Sequence, residues 1–170
     1  LKALNIAKDP SLEKTIRHLS QGQNPMGERL LLLSYCYDLI GLLNAYTGNW
    51  TVNTKNQLKN YREAEKYAKA AGGTRQIAYI HFHMGIAYMN EGKLDSALLF
   101  INNAISTFSE LKDQSGLGRA MKYLGDTYQK MGSFDLAANT ILQSIRLLKE
   151  TNDHLHLGLA YISLSRVLMD

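Results

Sequence analysis

The chain has 170 residues, of which 45% are hydrophobic and 20% are charged, and its net charge at pH 7 is +4. This composition suits one folded domain with a hydrophobic core and argues against disorder. The basic residues are scattered along the chain, so they form no Lys/Arg stripe of the kind that nucleic-acid binding requires.

The first predicted element is a short helix within residues 9–22. We expect it to begin near Ser11, because Ser is a favoured helix N-cap. Residues 1–24 are assigned to this N-terminal segment. The chain starts at Leu1 instead of Met, and we expect a fragment of a longer protein.

Residues 25–73 are predicted to form a divergent helical hairpin. Its first helix covers Tyr37–Gly48, with Gly41 and Gly48 near its end, and its second helix covers Asn60–Gly73. About eleven extra residues, Asn49–Lys59, separate the two helices and include the only tryptophan, so we expect an insertion in this hairpin.

Two further segments, 74–113 and 114–153, repeat at an interval of forty residues. Leu117, Leu124 and Tyr128 follow one another at spacings of seven and four, which is typical of a helix. Each segment is therefore predicted to be a helix, a turn and a second helix. The predicted helices are Arg75–Asn90, Leu94–Leu111, Ser115–Lys130 and Phe134–Lys149.

Glycines occupy the same two positions in both repeats. Gly92 and Gly132 lie where a helix ends in a left-handed residue, a conformation that glycine adopts without strain. Gly85 and Gly125 lie inside a helix, where glycine costs about 1 kcal/mol relative to alanine. We expect a bulky neighbour to occupy the space beside each of them.

Residues 154–170 are predicted to be the first helix of a truncated repeat. This helix is apolar on nearly every side, whereas a helix that ends a repeat array has a polar outer face. We expect a further helix beyond Asp170 to cover it. In the isolated fragment the same surface is expected to favour a homodimer.

The pattern Leu124-Gly125-x-x-Tyr128-x-x-x-Gly132-x-Phe134-x-x-Ala137 resembles the signature of the tetratricopeptide repeat (TPR) family. Met84–Ala97 matches the same pattern with Met and Leu as substitutes. The aromatic residue expected early in the first helix is replaced by His81 and Met121, and the period exceeds the usual length of about 34 residues. The resemblance implies an all-α fold, an α-solenoid of antiparallel helix hairpins in a right-handed superhelix.

The resemblance also implies non-catalytic binding of a protein or peptide along a concave groove lined by the first helix of each repeat. Apolar residues at one end and basic residues at the other predict a ligand with apolar anchors and acidic groups. Phe82 and Ile86 are equally well interpreted as ordinary core residues between repeats. The predicted groove residues are Tyr35, Asp38, Leu42 and Tyr46, then Tyr79, Phe82, Ile86, Met89 and Asn90, and finally Arg119, Lys122, Asp126, Gln129 and Lys130.

No catalytic residue, metal site or cofactor is predicted. His81-x-His83 and His154-x-His156 are two residues apart, so on a helix the two rings of each pair point in different directions. The single cysteine, Cys36, lies in an apolar helix, where thiols are usually inert. An enzymatic alternative uses the insertion around Trp50 as a lid over a pocket.

Forty-residue repeats joined by connectors such as Leu111–Tyr128 resemble the input regions of bacterial sensor histidine kinases and DNA-binding regulators. The resemblance implies an interaction module of a larger signalling protein, and the alternative is a free-standing scaffold or assembly factor. The single cysteine favours a reducing compartment, the cytoplasm, and leaves the periplasm open. The longest apolar run, Leu30–Leu33, is too short to span a membrane.

Overall fold

The computed structural model describes residues 2–19, 24–46 and 50–169, and the elements within these residues are all helices, with no strand. The all-α prediction is therefore confirmed for this part of the chain. In chain order the helices are α1 (Lys2–Lys8), α2 (Leu12–Leu19), α3 (Pro25–Tyr46), α4 (Trp50–Ala70), α5 (Thr74–Asn90), α6 (Leu94–Glu110), α7 (Gln114–Lys130), α8 (Phe134–Glu150) and α9 (His154–Val167).

The helices group into two compact units, residues 1–80 and residues 81–170. Helix α5 begins in the first unit and ends in the second. In the first unit, α3 packs against α4, and α1 and α2 pack against α3. In the second unit, α6 packs against α7, α7 packs against α8, and α9 packs against both α7 and α8.

The N-terminal helices cover one side of α3. Leu4 and Ala7 of α1 are buried in one cluster with Leu33 and Cys36 of α3. Helix α1 was not predicted, whereas α2 begins directly after Ser11, as predicted. Burial raises the pKa of the Cys36 thiol, which fits the prediction that this cysteine is unreactive.

Within the predicted insertion, residues 50–59 belong to α4 and do not form a separate lid. The helix begins at Trp50, and Thr54 and Leu58 in its first turns are buried. The preceding helix, Pro25–Tyr46, is 22 residues long. Gly48, which was predicted to end it, lies outside the described residues.

The extra length of the first hairpin is about one helical turn, not eleven residues. Tyr61 lies against Gly41, in the way that Ile101 lies against Gly85 in the next hairpin. The first pair is twenty residues apart and the second sixteen, so the difference is four residues, close to the 3.6 residues of a turn. The prediction of eleven was wrong because it matched Tyr61 with Leu94 instead of Ile101.

Helices α5, α6, α7 and α8 confirm the forty-residue prediction in detail. Each is 17 residues long, and every one of their ends lies within one residue of its predicted position. Gly92 and Gly132 adopt φ values of 78° and 77°, which confirms the left-handed helix ends. At the second of these turns the N–H of Ser133 donates to the carbonyl oxygen of Tyr128 at 2.9 Å and closes the helix end.

The turns between successive hairpins also contain a left-handed residue, but only one of them is a glycine. Gly72 has a φ of 70°, whereas Lys112 and Asn152, forty and eighty residues later, have φ values of 54° and 55°. A side chain in this conformation costs about 1–2 kcal/mol, with asparagine the better tolerated.

The glycines inside α5 and α7 lie against isoleucines of the following helix, as predicted. A Cβ placed at Gly85 would lie 2.5 Å from Cγ1 of Ile101. A Cβ at Gly125 would collide with Ile141 and would lie 3.2 Å from the carbonyl oxygen of Ala137. Ile101 and Ile141 are completely buried, and each such burial is worth roughly 1.5–3 kcal/mol.

Candidate partner-binding surface

The predicted groove residues of α3 have three different environments. Tyr35 is exposed and Leu42 is partly exposed, but Asp38 is buried. Nε2 of Gln76, which is also buried, donates to Oδ2 of Asp38 at 3.4 Å. Oδ2 of Asp38 therefore already has a partner within the first unit. The side chain of Tyr46 lies outside the described residues.

Helix α3 carries a row of exposed apolar side chains, which we call the α3 stripe. Its members are Leu32, Tyr35, Leu39 and Leu43, with 40%, 49%, 58% and 61% of their surface exposed. Spacings of three, four and four residues place them on one side of the helix. The sequence prediction found only Tyr35, because α3 is apolar on both sides and periodicity does not show which side is covered.

Two of the predicted α5 residues are buried between helices. The ring of Phe82 packs edge-on against Tyr123 of α7, with ring centroids 5.3 Å apart. Met89 lies in a buried cluster with Ile101 and Leu124. Both are core residues and do not line an open groove. For Phe82 this is the alternative that the sequence left open, whereas Met89 was predicted only as a groove residue. The remaining predicted α5 residues are Tyr79 and Ile86, which are partly exposed, and Asn90, which is exposed.

Lys122 and Asp126 of α7 form a buried ion pair. Lys122 Nζ lies 2.8 Å from Asp126 Oδ2, and the two side chains are 7% and 11% exposed. The same ammonium group lies 3.9 Å from the ring centroid of Tyr123, within the range of a cation–π interaction. Asp126 Oδ1 is buried and has no hydrogen-bond partner among the described residues. Lys122 is therefore not an exposed cation for a ligand.

Arg119 is also paired, with Asp153, the N-cap residue directly before α9. Its Nε lies 2.6 Å from Oδ2 of Asp153, which also accepts a hydrogen bond from Ser115 Oγ at 3.1 Å. The other carboxylate oxygen lies 2.9 Å from Nδ1 of His156. Burial alone would raise the pKa of Asp153, but hydrogen bonds from His156 and Arg119 hold it well below its usual range. This cluster links α7 to α9.

The remaining predicted residues of α7 lie at its C-terminal end, where Gln129 is partly exposed and Lys130 is exposed. One histidine of each predicted pair has a packing or capping contact. The His81 ring meets Phe100 edge-on with centroids 5.6 Å apart, and His156 contacts Asp153. Among the described residues, no group of three or more His, Cys, Asp or Glu side chains is placed to hold a metal ion.

No described helix combines the length and apolar composition that crossing a membrane requires.

No protein-family model matches the chain, and no curated protein sequence matches it. The fold is similar to the crystal structure of BtubC (BKLC) from P. vanneervenii, with a TM-score of 0.68. The two sequences are 15% identical, and the match covers 98% of this chain and 79% of the BtubC chain. At this identity the likeness concerns the fold alone.

Proposed function

We propose that this region is a non-catalytic protein- or peptide-binding module, and that the α3 stripe is its recognition surface. The exposure of the stripe is the observation that carries the proposal. Leu39 and Leu43 alone leave 58% and 61% of their surface exposed. Contiguous exposed apolar surface of this kind marks interaction sites.

The geometry of the stripe suits an amphipathic helix as partner. An amphipathic helix presents its apolar anchors at spacings of three, four and seven residues. The members of the α3 stripe, Leu32, Tyr35, Leu39 and Leu43, have similar spacings, so the apolar sides of the two helices can pack along each other. Tyr35 adds an aromatic side chain with a polar end, a residue type enriched at interfaces. The partner is therefore expected to supply apolar anchors.

The structure gives little support to the expected acidic groups on the ligand. That expectation rested on three basic residues of α7. Arg119 and Lys122 already contact carboxylates of this chain, and only Lys130 of the three is exposed. We therefore propose apolar anchors as the main determinant of binding.

The repeated packing supports the proposed architecture, a TPR-like α-solenoid of antiparallel hairpins in a right-handed superhelix. Gly85 and Gly125 face Ile101 and Ile141 at the same offset. Consecutive helices pack against each other from α6 to α9. Stacked two-helix units of this kind provide extended binding surfaces.

The proposal is tested with peptides selected from a random display library on the immobilised 170-residue chain. The recovered peptides are expected to be amphipathic helices. Leu39→Glu is expected to weaken their binding at least tenfold, about 1.4 kcal/mol, because it places a charge within the stripe. Isothermal titration calorimetry measures the change.

Leu99→Glu is the matched control, since Leu99 of α6 is 59% exposed and lies outside the stripe. Its binding is expected to equal that of the wild type. Equal weakening by both substitutions, or recovery of no peptide at all, would contradict the proposal.

We further propose that the module is the sensory or interaction region of a larger bacterial signalling protein. The forty-residue period and its connector support this context by resemblance. Sequencing the surrounding gene tests it. A kinase or DNA-binding segment in the same reading frame is the expected result, and a reading frame without either would favour a scaffold or assembly factor.

A further inference from the structure

Helix α9 presents an apolar surface to solvent. Leu155, Tyr161, Ile162, Leu168 and Met169 are all exposed, and Leu168 leaves 72% of its surface uncovered. The opposite side of the helix is buried against α8 through Ala160 and Val167. The way in which α8 packs on α7 indicates what kind of helix can pack on the exposed side of α9.

Helix α8 packs on α7 by placing large side chains against glycines. A Cβ at Gly118 would lie 2.9 Å from Cγ of Leu148, and a Cβ at Gly125 would collide with Ile141. The glycines are seven residues apart, and so are the large residues in the reverse order. This arrangement defines an antiparallel helix pair. Ser144 adds a hydrogen bond from its Oγ to the carbonyl oxygen of Gly118 at 2.6 Å.

The equivalent face of α9 is uncovered. Gly158 and Ser165 follow Gly118 and Gly125 by forty residues. A Cβ placed at Gly158 would meet no atom of the described residues within 4 Å, and Ser165 is exposed. The side of α9 that corresponds to the α8-covered side of α7 therefore has room for a helix with large residues seven positions apart.

Such residues also occur on the same side of α9 and at its C-cap, Leu168, whose backbone keeps the right-handed helical conformation. Tyr161 and Leu168 are seven residues apart, like Ile141 and Leu148 of α8. We call Gly158, Tyr161, Ser165 and Leu168 together the α9 face. Along this face small and large residues alternate at spacings of three, four and three. Read in the opposite direction, the face has the same spacings, but large residues stand where small ones stood. A second copy of α9 in antiparallel orientation therefore places its large residues opposite the small residues of the first.

We propose that, in the 170-residue chain, α9 forms a homodimer interface in which the α9 faces of two copies pack antiparallel. In this arrangement Leu168 of one copy lies against Gly158 of the other. Tyr161 of one copy likewise lies against Ser165 of the other. Both contacts form twice about a twofold axis that crosses the α9 face midway between Tyr161 and Ser165, as an isologous interface requires. Ser165 is larger than Gly125, so the helices lie somewhat farther apart there, and the long Tyr161 side chain spans the difference.

The interface is small. Helix α9 has 14 residues, which corresponds to a length of about 21 Å. Stable interfaces bury about 800 Å² per partner, more than one side of such a helix supplies. The dimer is therefore expected to dissociate on dilution. It involves α9 alone and does not depend on peptide binding by α3.

Sedimentation velocity of the 170-residue chain over a wide concentration range tests the proposal. The expected mass rises from the 19.1 kDa of one chain towards twice that value. Gly158→Leu places a large side chain opposite Leu168 of the other copy and is expected to raise the dissociation constant at least tenfold. The fold of one chain should persist, because Gly158 has open space and leucine is the better helix former.

A size exchange tests the register. Tyr161→Ser leaves two serines opposite each other, and Ser165→Tyr places two tyrosines opposite each other, so each substitution alone is expected to weaken the dimer. The double variant Tyr161→Ser/Ser165→Tyr restores a large residue opposite a small one and is expected to recover dimerisation. Circular dichroism and melting temperature check that each variant is folded.

Three results would overturn the proposal. The first is a chain that stays monomeric at every concentration, which would assign the α9 face to a different occupant. The second is a dimer that Gly158→Leu leaves unchanged. The third is a double variant no tighter than the weaker single variant.

Discussion

Ile141 occupies the space beside Gly125 that any larger side chain would need. The same relationship joins Ile101 to Gly85 one repeat earlier. A glycine inside a helix is intrinsically unfavourable, so its presence at both positions reflects the close approach of the next helix. This relationship sets the distance between the two helices of a hairpin.

Gly125→Ala is therefore expected to destabilise the protein. Alanine improves helix propensity by about 1 kcal/mol, but overpacking a close contact costs about 1–3 kcal/mol. The new Cβ would lie 3.2 Å from the backbone carbonyl of Ala137, which cannot move aside like a flexible side chain. The propensity gain offsets part of this cost, so we expect a net loss of up to roughly 2 kcal/mol in the free energy of unfolding, measured by urea denaturation.

Gly158→Ala is the matched control for this substitution. The added Cβ meets no atom of the described residues within 4 Å, so only the propensity gain of up to about 1 kcal/mol is expected. Measurements at low protein concentration keep self-association out of the comparison. Equal effects of the two substitutions would show that close packing does not explain Gly125.

Asp153→Asn is expected to lower stability near neutral pH by about 1–3 kcal/mol, because Arg119 and His156 lose a charged acceptor. Their hydrogen bonds hold the pKa of Asp153 below its ordinary value of 3.8, although burial acts in the opposite direction. A carboxyl with a lowered folded-state pKa stabilises the fold above the unfolded-state value. That contribution is lost as the pH falls through the folded-state pKa.

The difference in the free energy of unfolding between the wild type and Asp153→Asn should accordingly become smaller as the pH falls below 3.8. Urea denaturation at a series of pH values measures it. Asp135→Asn changes an exposed carboxyl in the first turn of α8 and is expected to have a much smaller effect. A difference for Asp153→Asn that does not change with pH would argue against the ion pair as its cause.

Lys112→Gly is expected to raise stability by about 1 kcal/mol. Lys112 has a φ of 54° at the turn between α6 and α7, where glycine avoids the strain of a Cβ. Asn152→Gly at the equivalent turn should give a smaller gain, because asparagine tolerates this conformation. Thermal denaturation compares the two, and a loss of stability in Lys112→Gly would contradict the strain argument.

Removing one member of the Lys122–Asp126 ion pair is expected to lower the stability of the protein more than removing both. Lys122→Met leaves a buried carboxylate without its cation, and breaking a buried pair in this way costs about 3–5 kcal/mol. The double variant Lys122→Met/Asp126→Leu removes both charges and also the unpaired Oδ1 atom. We expect it to be close to the wild type in stability.

A double-mutant cycle of urea denaturation curves measures this coupling. Additive losses from the two substitutions would show that the ammonium and carboxylate groups do not depend on each other. The result also bears on function. Strong coupling between the two substitutions would show that the Lys122 ammonium group is engaged by Asp126 within the fold and is not a free surface cation.

Most of the second unit could be predicted from the sequence, because each helix end there has a local cause. Gly92 and Gly132 specify left-handed helix ends, and their spacing specifies the helices between them. The first unit was harder to predict. Helix α1 has only seven residues. The contact between Tyr61 and Gly41 depends on the number of residues between them, which no local signal in the sequence shows.

The candidate site was less predictable than the helices. Phe82 and Met89 have the spacing of groove residues, but the neighbouring helices bury them. The sequence predicted Lys122 as a surface cation, whereas in the structure it is buried in an ion pair with Asp126, one turn later. The α3 stripe was largely missed because its leucines resemble those on the covered side of the same helix.

The sequence by itself determined the all-α fold, the forty-residue period, the ends of helices α5 to α8 and the need for a close neighbour at Gly85 and Gly125. These properties depend on backbone conformation and on residue size, which are local. Only the tertiary structure decided which apolar faces are covered and which charges are paired. Burial and ion pairing depend on atoms brought together from distant parts of the chain, and the order of residues along one helix does not specify them.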